Sequence, residues 1–250
     1  MFEIRKKNYL KLKKKLNNNQ ITIGYWFQAS SSDLIEAAVY KKNIDWAVID
    51  LEHGSIMKNQ LTDIFRTLEL NNIAPLVRVD LNQANEFNNY LDIGAYGIIV
   101  SNIKNHKELI KIKNNSSYLH KKGRGHGFYR ANCYGSEFNN YKKIFKNPII
   151  IPMIENNNAL QDIDNILKTS NTVFIGPYDL SNSLGYPGNF KNKLFKQALR
   201  KILNTCKKNK KNAGIHCVSS NKKLLNSYKK DGFKFIAYSM DTLIYKEFNV

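Results

Sequence analysis

Several charged residues stand where short apolar runs end, and their types suit acid–base and anion chemistry. Ala47-Val48-Ile49 runs into Asp50-Leu51-Glu52-His53-Gly54, Pro75-Leu76-Val77 into Arg78, Ile149–Ile154 into Glu155, and Val173-Phe174-Ile175 into Gly176-Pro177-Tyr178-Asp179. Two carboxylates brought together repel unless a proton or cation lies between them. Glu155 and Asp179, with waters and substrate oxygens, would therefore suit a divalent ion such as Mg²⁺, Mn²⁺ or Co²⁺. Asp50 precedes His53 by three residues, and a carboxylate that orients an imidazole fixes its tautomer and raises its basicity, as a general base requires. Arg78 suits an anionic substrate or a developing oxyanion. Its structural alternative is a salt bridge to Asp50 or Glu52. Gly176-Pro177 predicts a turn whose backbone N–H groups face a bound carboxylate.

For these residues to meet, the strand ends must gather on one face. Apolar, β-branched runs alternate with longer amphipathic stretches, the pattern of repeated βα units. Eight strands are predicted, at Thr22–Phe27, Trp46–Asp50, Pro75–Arg78, Gly97–Val100, Ile149–Ile154, Thr172–Ile175, Ala213–Cys217 and Lys234–Tyr238. Helices are predicted between them at Ser32–Lys41, Gln60–Leu70, Ala84–Leu91, Asn105–Ile112, Ala159–Leu167, Phe195–Lys208 and Lys222–Asp231. Eight such units in 250 residues point to one α/β domain over residues 1–250, a (β/α)₈ TIM barrel whose sites lie at the C-terminal strand ends. A basic helix at about residues 3–17, with Leu10, Leu12 and Leu16, is expected to cap the barrel bottom or lie on the surface. The Gly-rich stretch 117–146 is long for one connection, which is often the mark of a functional loop.

Composition narrows the setting. The formal net charge is +19, from 39 basic and 20 acidic residues. A specific nucleic-acid partner would concentrate that charge, yet lysines and asparagines recur along the whole chain. The field would still draw in small anions. Cys133, Cys206 and Cys217 have no paired spacing and fit a reducing compartment. The N-terminus lacks the apolar core of a signal peptide, and no run approaches the roughly 18 apolar residues of a membrane span. A cytoplasmic location with no membrane partner is expected.

The motifs WAVIDLEHG, LVRVD, LDIGAYGIIV, GRGHGFYRANCYG, IPMIEN and FIGPYDLSNSLGYPGNF occur in one order over roughly residues 20 to 245. In order and spacing the chain resembles the HpcH/HpaI family of class II pyruvate aldolases, of phosphoenolpyruvate/pyruvate-domain-like fold. The resemblance implies cleavage or formation of a C–C bond in a 4-hydroxy-2-oxo or 2-keto-3-deoxy acid, through a pyruvate enolate, with an aldehyde as the other partner. It implies that Glu155 and Asp179 hold the divalent metal, and that Arg78 supports the enolate oxygen. His53, held by Asp50, would be the proton-transfer base, and the backbone of Gly176, Pro177 and Tyr178 would hold the pyruvate carboxylate. It further implies a homo-oligomer, commonly a hexamer. No lysine stands at a predicted strand end, Lys104 being the nearest, which argues against a Schiff-base mechanism. The chain departs from the pattern at Met153 for Gln, Asn156 for Thr and Ser101 for Pro. Arg124 matches a family arginine. Two other readings are a CoA-ester lyase of the citrate-lyase β type and a non-catalytic, basic nucleic-acid-binding protein.

Overall fold

The structure, a computed structural model, describes residues 1–121 and 123–246. Its strands are β1 (Thr22–Phe27), β2 (Trp46–Asp50), β3 (Ala74–Asp80), β4 (Gly97–Ser101), β5 (Ile149–Ile154), β6 (Thr172–Ile175), β7 (Asn212–Cys217) and β8 (Phe235–Tyr238). Each pairs in parallel with its neighbours in sequence, and β8 returns to β1, closing the barrel. The helices are α1 (Phe2–Asn17), α2 (Ser32–Val39), α3 (Leu61–Leu70), α4 (Phe87–Ile93), α5 (His106–Ser116), α6 (Phe138–Ile144), α7 (Asn157–Gln161), α8 (Ile163–Thr169), α9 (Pro177–Ser183), α10 (Lys193–Lys208), α11 (Lys222–Asp231) and α12 (Asp241–Lys246).

Strand residues alternate between two separate cores, as period-2 geometry requires. Ala47, Ile49, Val77, Val79, Ile98, Val100, Ile150, Ile154, Val173 and Ile175 pack outward with apolar helix residues such as Ile35, Phe65, Leu109 and Ile166. Trp26, Trp46, Val48, Leu76, Ile99, Ile151, Met153, Phe174, Phe235 and Ala237 fill the interior. Because both faces are buried, the strands read as near-continuous apolar runs. The abundant asparagine has a structural use here. Asn105, Asn156, Asn192 and Asn221 each cap a helix by accepting a first-turn backbone N–H, the role in which asparagine is favoured.

Two predicted helices are each divided near an aspartate. Asp80 accepts from Asn82 N–H at 2.6 Å, and Leu81–Glu86 winds as a 3₁₀ turn before α4. Asp162 accepts from both the backbone N–H and Nδ1 of His106 and separates α7 from α8. At Gly176-Pro177 the predicted turn is instead the start of α9, with proline in its first turn, a position where its missing N–H costs nothing.

The bottom of the barrel is closed by α1. Phe2, Tyr9, Leu12 and Leu16 join the interior core, and Tyr9 packs on Phe145 at 4.2 Å. The segment 117–146 follows α5, so it lies at this same end, away from the C-terminal strand ends where a functional loop was expected. Arg124 is a packing residue within it. Its guanidinium lies 4.9–5.4 Å from the ring centres of Tyr118, Tyr129 and Tyr141 and pairs with Asp92 at 2.5 Å.

Candidate active site

At the C-terminal end of the barrel the inward-facing positions turn polar. Asp50, Arg78, Ser101, Glu155, Gly176, His216 and Ser239 come from or directly follow successive strands β2 to β8, with Trp26 and Gln28 from β1 and its exit. Trp26, His53, Arg78, Gly176, Asp179 and His216 help line a cavity of about 320 Å³ there. A larger cavity, of about 480 Å³, opens at the opposite end beside Lys13 and Lys113, and its lining contains no carboxylate.

Asp50 and Arg78 are partners in register across β2 and β3, so their side chains emerge side by side. Arg78 Nε donates to Asp50 Oδ1 at 2.9 Å and Nη2 to Oδ2 at 2.5 Å, a bidentate fork. Trp26 Nε1 and Gln28 Nε2 also donate to Asp50 Oδ2, at 3.1 and 2.9 Å. Burial alone would push this carboxyl up, but the bonds and charge of Arg78, with Gln28 and Trp26, outweigh it and hold Asp50 at about 2. The guanidinium lies 5.2 Å from the centre of the Trp26 ring.

The expected orientation of the His53 imidazole by Asp50 does not occur. Asp50 Oδ1 accepts the backbone N–H groups of Glu52 and His53, both at 3.1 Å. Its remaining capacity goes to Arg78, Trp26 and Gln28, so the carboxylate shapes the turn rather than the ring. Gly54 completes that turn: a Cβ there would lie 2.1 Å from the Asp50 carbonyl and 2.7 Å from that of Gln28. His53 is exposed on the cavity wall. The alternative reading of Arg78, a salt bridge to Asp50 or Glu52, is met by both acids: beside the Asp50 fork, Glu52 Oε2 lies 3.2 Å from Nη1. That Oε2 is buried and accepts no hydrogen bond.

Glu155 is buried at the end of β5. Burial pushes its carboxyl up, and the charges of Glu52 and Asp179 add to this. The Asn102 backbone N–H and the charge of Arg78 oppose it, leaving Glu155 at about 7. Asn102 reaches Glu155 from a left-handed backbone, φ 58°. Gly176 leaves the space above this group open, since a Cβ would lie 2.9 Å from Glu155 Oε2 and 3.1 Å from the Met153 methyl carbon. Asp179 is exposed in the first turn of α9, next to exposed Tyr178.

The donor set fits a divalent cation. Glu155 is a carboxyl whose ionisation is opposed first by burial and then by the charges of Glu52 and Asp179, and a positive charge beside it would relieve both. Among the described residues no three His, Cys, Asp or Glu side chains form a metal-holding group; Mg²⁺ itself is commonly bound through one or two carboxylates and several waters.

Reading from strand ends missed His216, which lies inside β7 with Cys217 still to follow. Its ring stacks on Trp26 at 4.8 Å and its Nε2 lies 3.0 Å from Ser239 O. Burial, partly opposed by that bond, lowers His216 to about 4. Alternation from the inward-facing Gly214 was the signal available.

A family profile described as HpcH/HpaI aldolase/citrate lyase matches residues 22–246. A 5-keto-4-deoxy-D-glucarate aldolase from Enterobacter sp. (strain 638) is 28% identical over 208 residues, 82% of this chain and 81% of the relative. A crystal structure of a family protein from Burkholderia cenocepacia J2315 superposes with TM-score 0.84 at 22% identity, covering 94% of this chain and 95% of that one. The citrate synthase SbnG superposes with TM-score 0.77 at 25% identity, covering 94% and 93%. No helix among the described residues is long and apolar enough to cross a membrane. With the profile spanning nearly the whole barrel, the chain belongs to the HpcH/HpaI aldolase/citrate lyase family, a name that, like those of its curated relatives, denotes a carbon–carbon lyase.

Proposed function

We propose that the protein is a metal-dependent aldolase that cleaves or forms the C3–C4 bond of a 4-hydroxy-2-oxo or 2-keto-3-deoxy acid, with pyruvate and an aldehyde as the two fragments. The observation that carries this reading is a buried carboxyl, Glu155, at the end of β5, whose ionisation is opposed by burial and by the charges of Glu52 and Asp179 and favoured by that of Arg78. Glu155 and Asp179 would hold the divalent ion, Mg²⁺, Mn²⁺ or Co²⁺. When bound, the ion supplies Lewis-acid stabilisation to the keto oxygen.

The chain's own residues do the rest. Arg78, fixed by Asp50, faces the keto oxygen as negative charge develops on it. The first-turn N–H groups of Tyr178 and Asp179 lack intrahelical acceptors, and they receive the pyruvate carboxylate at the turn that Gly176 and Pro177 shape, Pro177 having no N–H of its own. In cleavage, His53 accepts the proton of the C4 hydroxyl. The C3–C4 electrons pass onto the pyruvate half as an enolate, which is protonated at C3. The aldehyde leaves with the C4 carbon.

Pyruvate's methyl protons are therefore expected to exchange in D₂O in the presence of Mg²⁺, Mn²⁺ or Co²⁺, followed by proton NMR. A chelator should suppress the exchange, and Glu155→Gln should lower it by at least a hundredfold. Metal-independent exchange, or none under any of the three ions, would sink the proposal. The family's citrate-lyase branch supplies a second reading, a CoA-ester lyase, which stabilisation by acyl-CoA compounds in a thermal-shift screen would favour. The +19 charge then serves as a general field that draws in anionic oxo acids. Steep, salt-dependent binding to a defined nucleic acid would instead favour the non-catalytic alternative. The same reading carries homo-oligomeric assembly, as a hexamer, and a cytoplasmic location.

A further inference from the structure

His216 lines the cavity with a ring that has one nitrogen bonded to the protein and the other, among the described residues, without a protein partner. A carbonyl oxygen only accepts, so the 3.0 Å contact with Ser239 O requires Nε2 to carry the hydrogen. The neutral ring then has a bare lone pair at Nδ1, which has no protein partner among the described residues. Two features hold the ring in this pose. Stacking on Trp26 restrains its plane. Ser239 turns its carbonyl towards Nε2 from a left-handed backbone, φ 60°, a conformation that is unfavourable for a non-glycine residue. The ring lines the same cavity as His53, Arg78 and Asp179.

We propose that His216 sets acceptor specificity: its Nδ1 accepts a hydrogen bond from a hydroxyl on the aldehyde-derived half of the substrate. The inference rests on the aldolase reading above. Pyruvate bears no O–H or N–H at neutral pH and cannot satisfy this acceptor, so only the other fragment can. A lone pair also disfavours a carboxylate at that position. The structure thus selects hydroxylated aldehydes over plain or carboxylate-ended ones.

The test is the ratio of kcat/KM for glycolaldehyde to that for acetaldehyde, each condensed with pyruvate by the metal-loaded protein. Both reactions share pyruvate activation, so any general loss divides out. His216→Phe keeps a ring against Trp26 and removes both nitrogens. The ratio is expected to fall about tenfold, the size of one hydrogen bond in a water-poor site. His216→Asn retains an acceptor and should stay within threefold of wild type. If the Phe variant fails to fold, His216→Leu carries the same expectation. An unchanged ratio in the Phe or Leu variant overturns the proposal, and an equal fall in the Asn variant would assign His216 to ring packing instead. Lack of pyruvate exchange in the wild-type protein would overturn the aldolase reading itself. Exchange with an unaltered acceptor ratio overturns the role of His216 alone.

Discussion

Arg78→Met is expected to abolish pyruvate exchange and to destabilise the fold by about 3–5 kcal/mol at pH 7, the cost of leaving a buried carboxylate without its partner. Both effects follow from the double duty of one guanidinium. It neutralises Asp50, which is fully buried, and it counters Glu52 and Glu155 from within the cavity. Without it, Asp50 retains only the neutral donors Trp26 and Gln28 and two backbone N–H groups. Arg78→Lys keeps a charge but loses the planar fork. Exchange should still drop by roughly 10²-fold, as for loss of one oxyanion donor, with a smaller loss of stability. The pH dependence separates this from simple misfolding. Asp50 has its folded pKa lowered to about 2, so its contribution to wild-type stability is present above the unfolded value near 4 and is lost as pH falls through 2. In the Met variant the orphaned carboxyl takes up a proton at higher pH. The gap in urea unfolding free energy between wild type and variant should therefore narrow from pH 7 to pH 4. A gap that stays constant over that range, or exchange within threefold of wild type, would refute the double role.

The barrel was legible because strands buried on both faces are written in continuous Val, Ile and Leu, with little else competing for that reading. The ends of β1, β2, β5 and β6 need no correction. Partners across the barrel were harder to read. Asp50 has a histidine three residues away in sequence and an arginine beside it on the next strand, and spacing alone favours the histidine. Register decides for the arginine, because neighbouring parallel strands place paired residues on the same face. His216 was hidden for a related reason: a search for charge after apolar runs skips a polar residue inside one. The segment 117–146 was read only as a possible functional loop, although its place at the bottom of the barrel was deducible. Chain that follows a helix in a βα unit has already returned to the starts of the strands, whereas catalytic loops follow the strands.

The bottom of the barrel carries the second large prediction. Glu69 is fully buried, and its Oε1 accepts from Arg5 Nε at 3.0 Å while its Oε2 accepts from Arg5 Nη2 at 3.3 Å and Arg130 Nη2 at 2.7 Å. One carboxylate thus answers two buried guanidinium groups. Arg5 belongs to α1 and Arg130 to the segment before α6, so Glu69 ties both to α3. Asn8 adds a bond from α1 to the Glu69 carbonyl at 3.0 Å, and Arg5 Nη1 reaches the carbonyls of Arg130 and Ala131. Glu69→Gln keeps the shape and removes the charge, leaving two buried cations facing each other. The expected loss is about 3–5 kcal/mol in denaturant unfolding, with α1 amides losing protection from hydrogen exchange first. Adding Arg5→Met to Glu69→Gln should recover part of that loss, because one of the two uncompensated charges is then gone. The network lies at the opposite end of the barrel from the cavity, so the folded fraction should exchange pyruvate protons at the wild-type rate. A loss below 1 kcal/mol, or a double variant less stable than Glu69→Gln alone, would show that packing of Tyr9, Leu12 and Leu16, rather than Glu69, holds α1 in place.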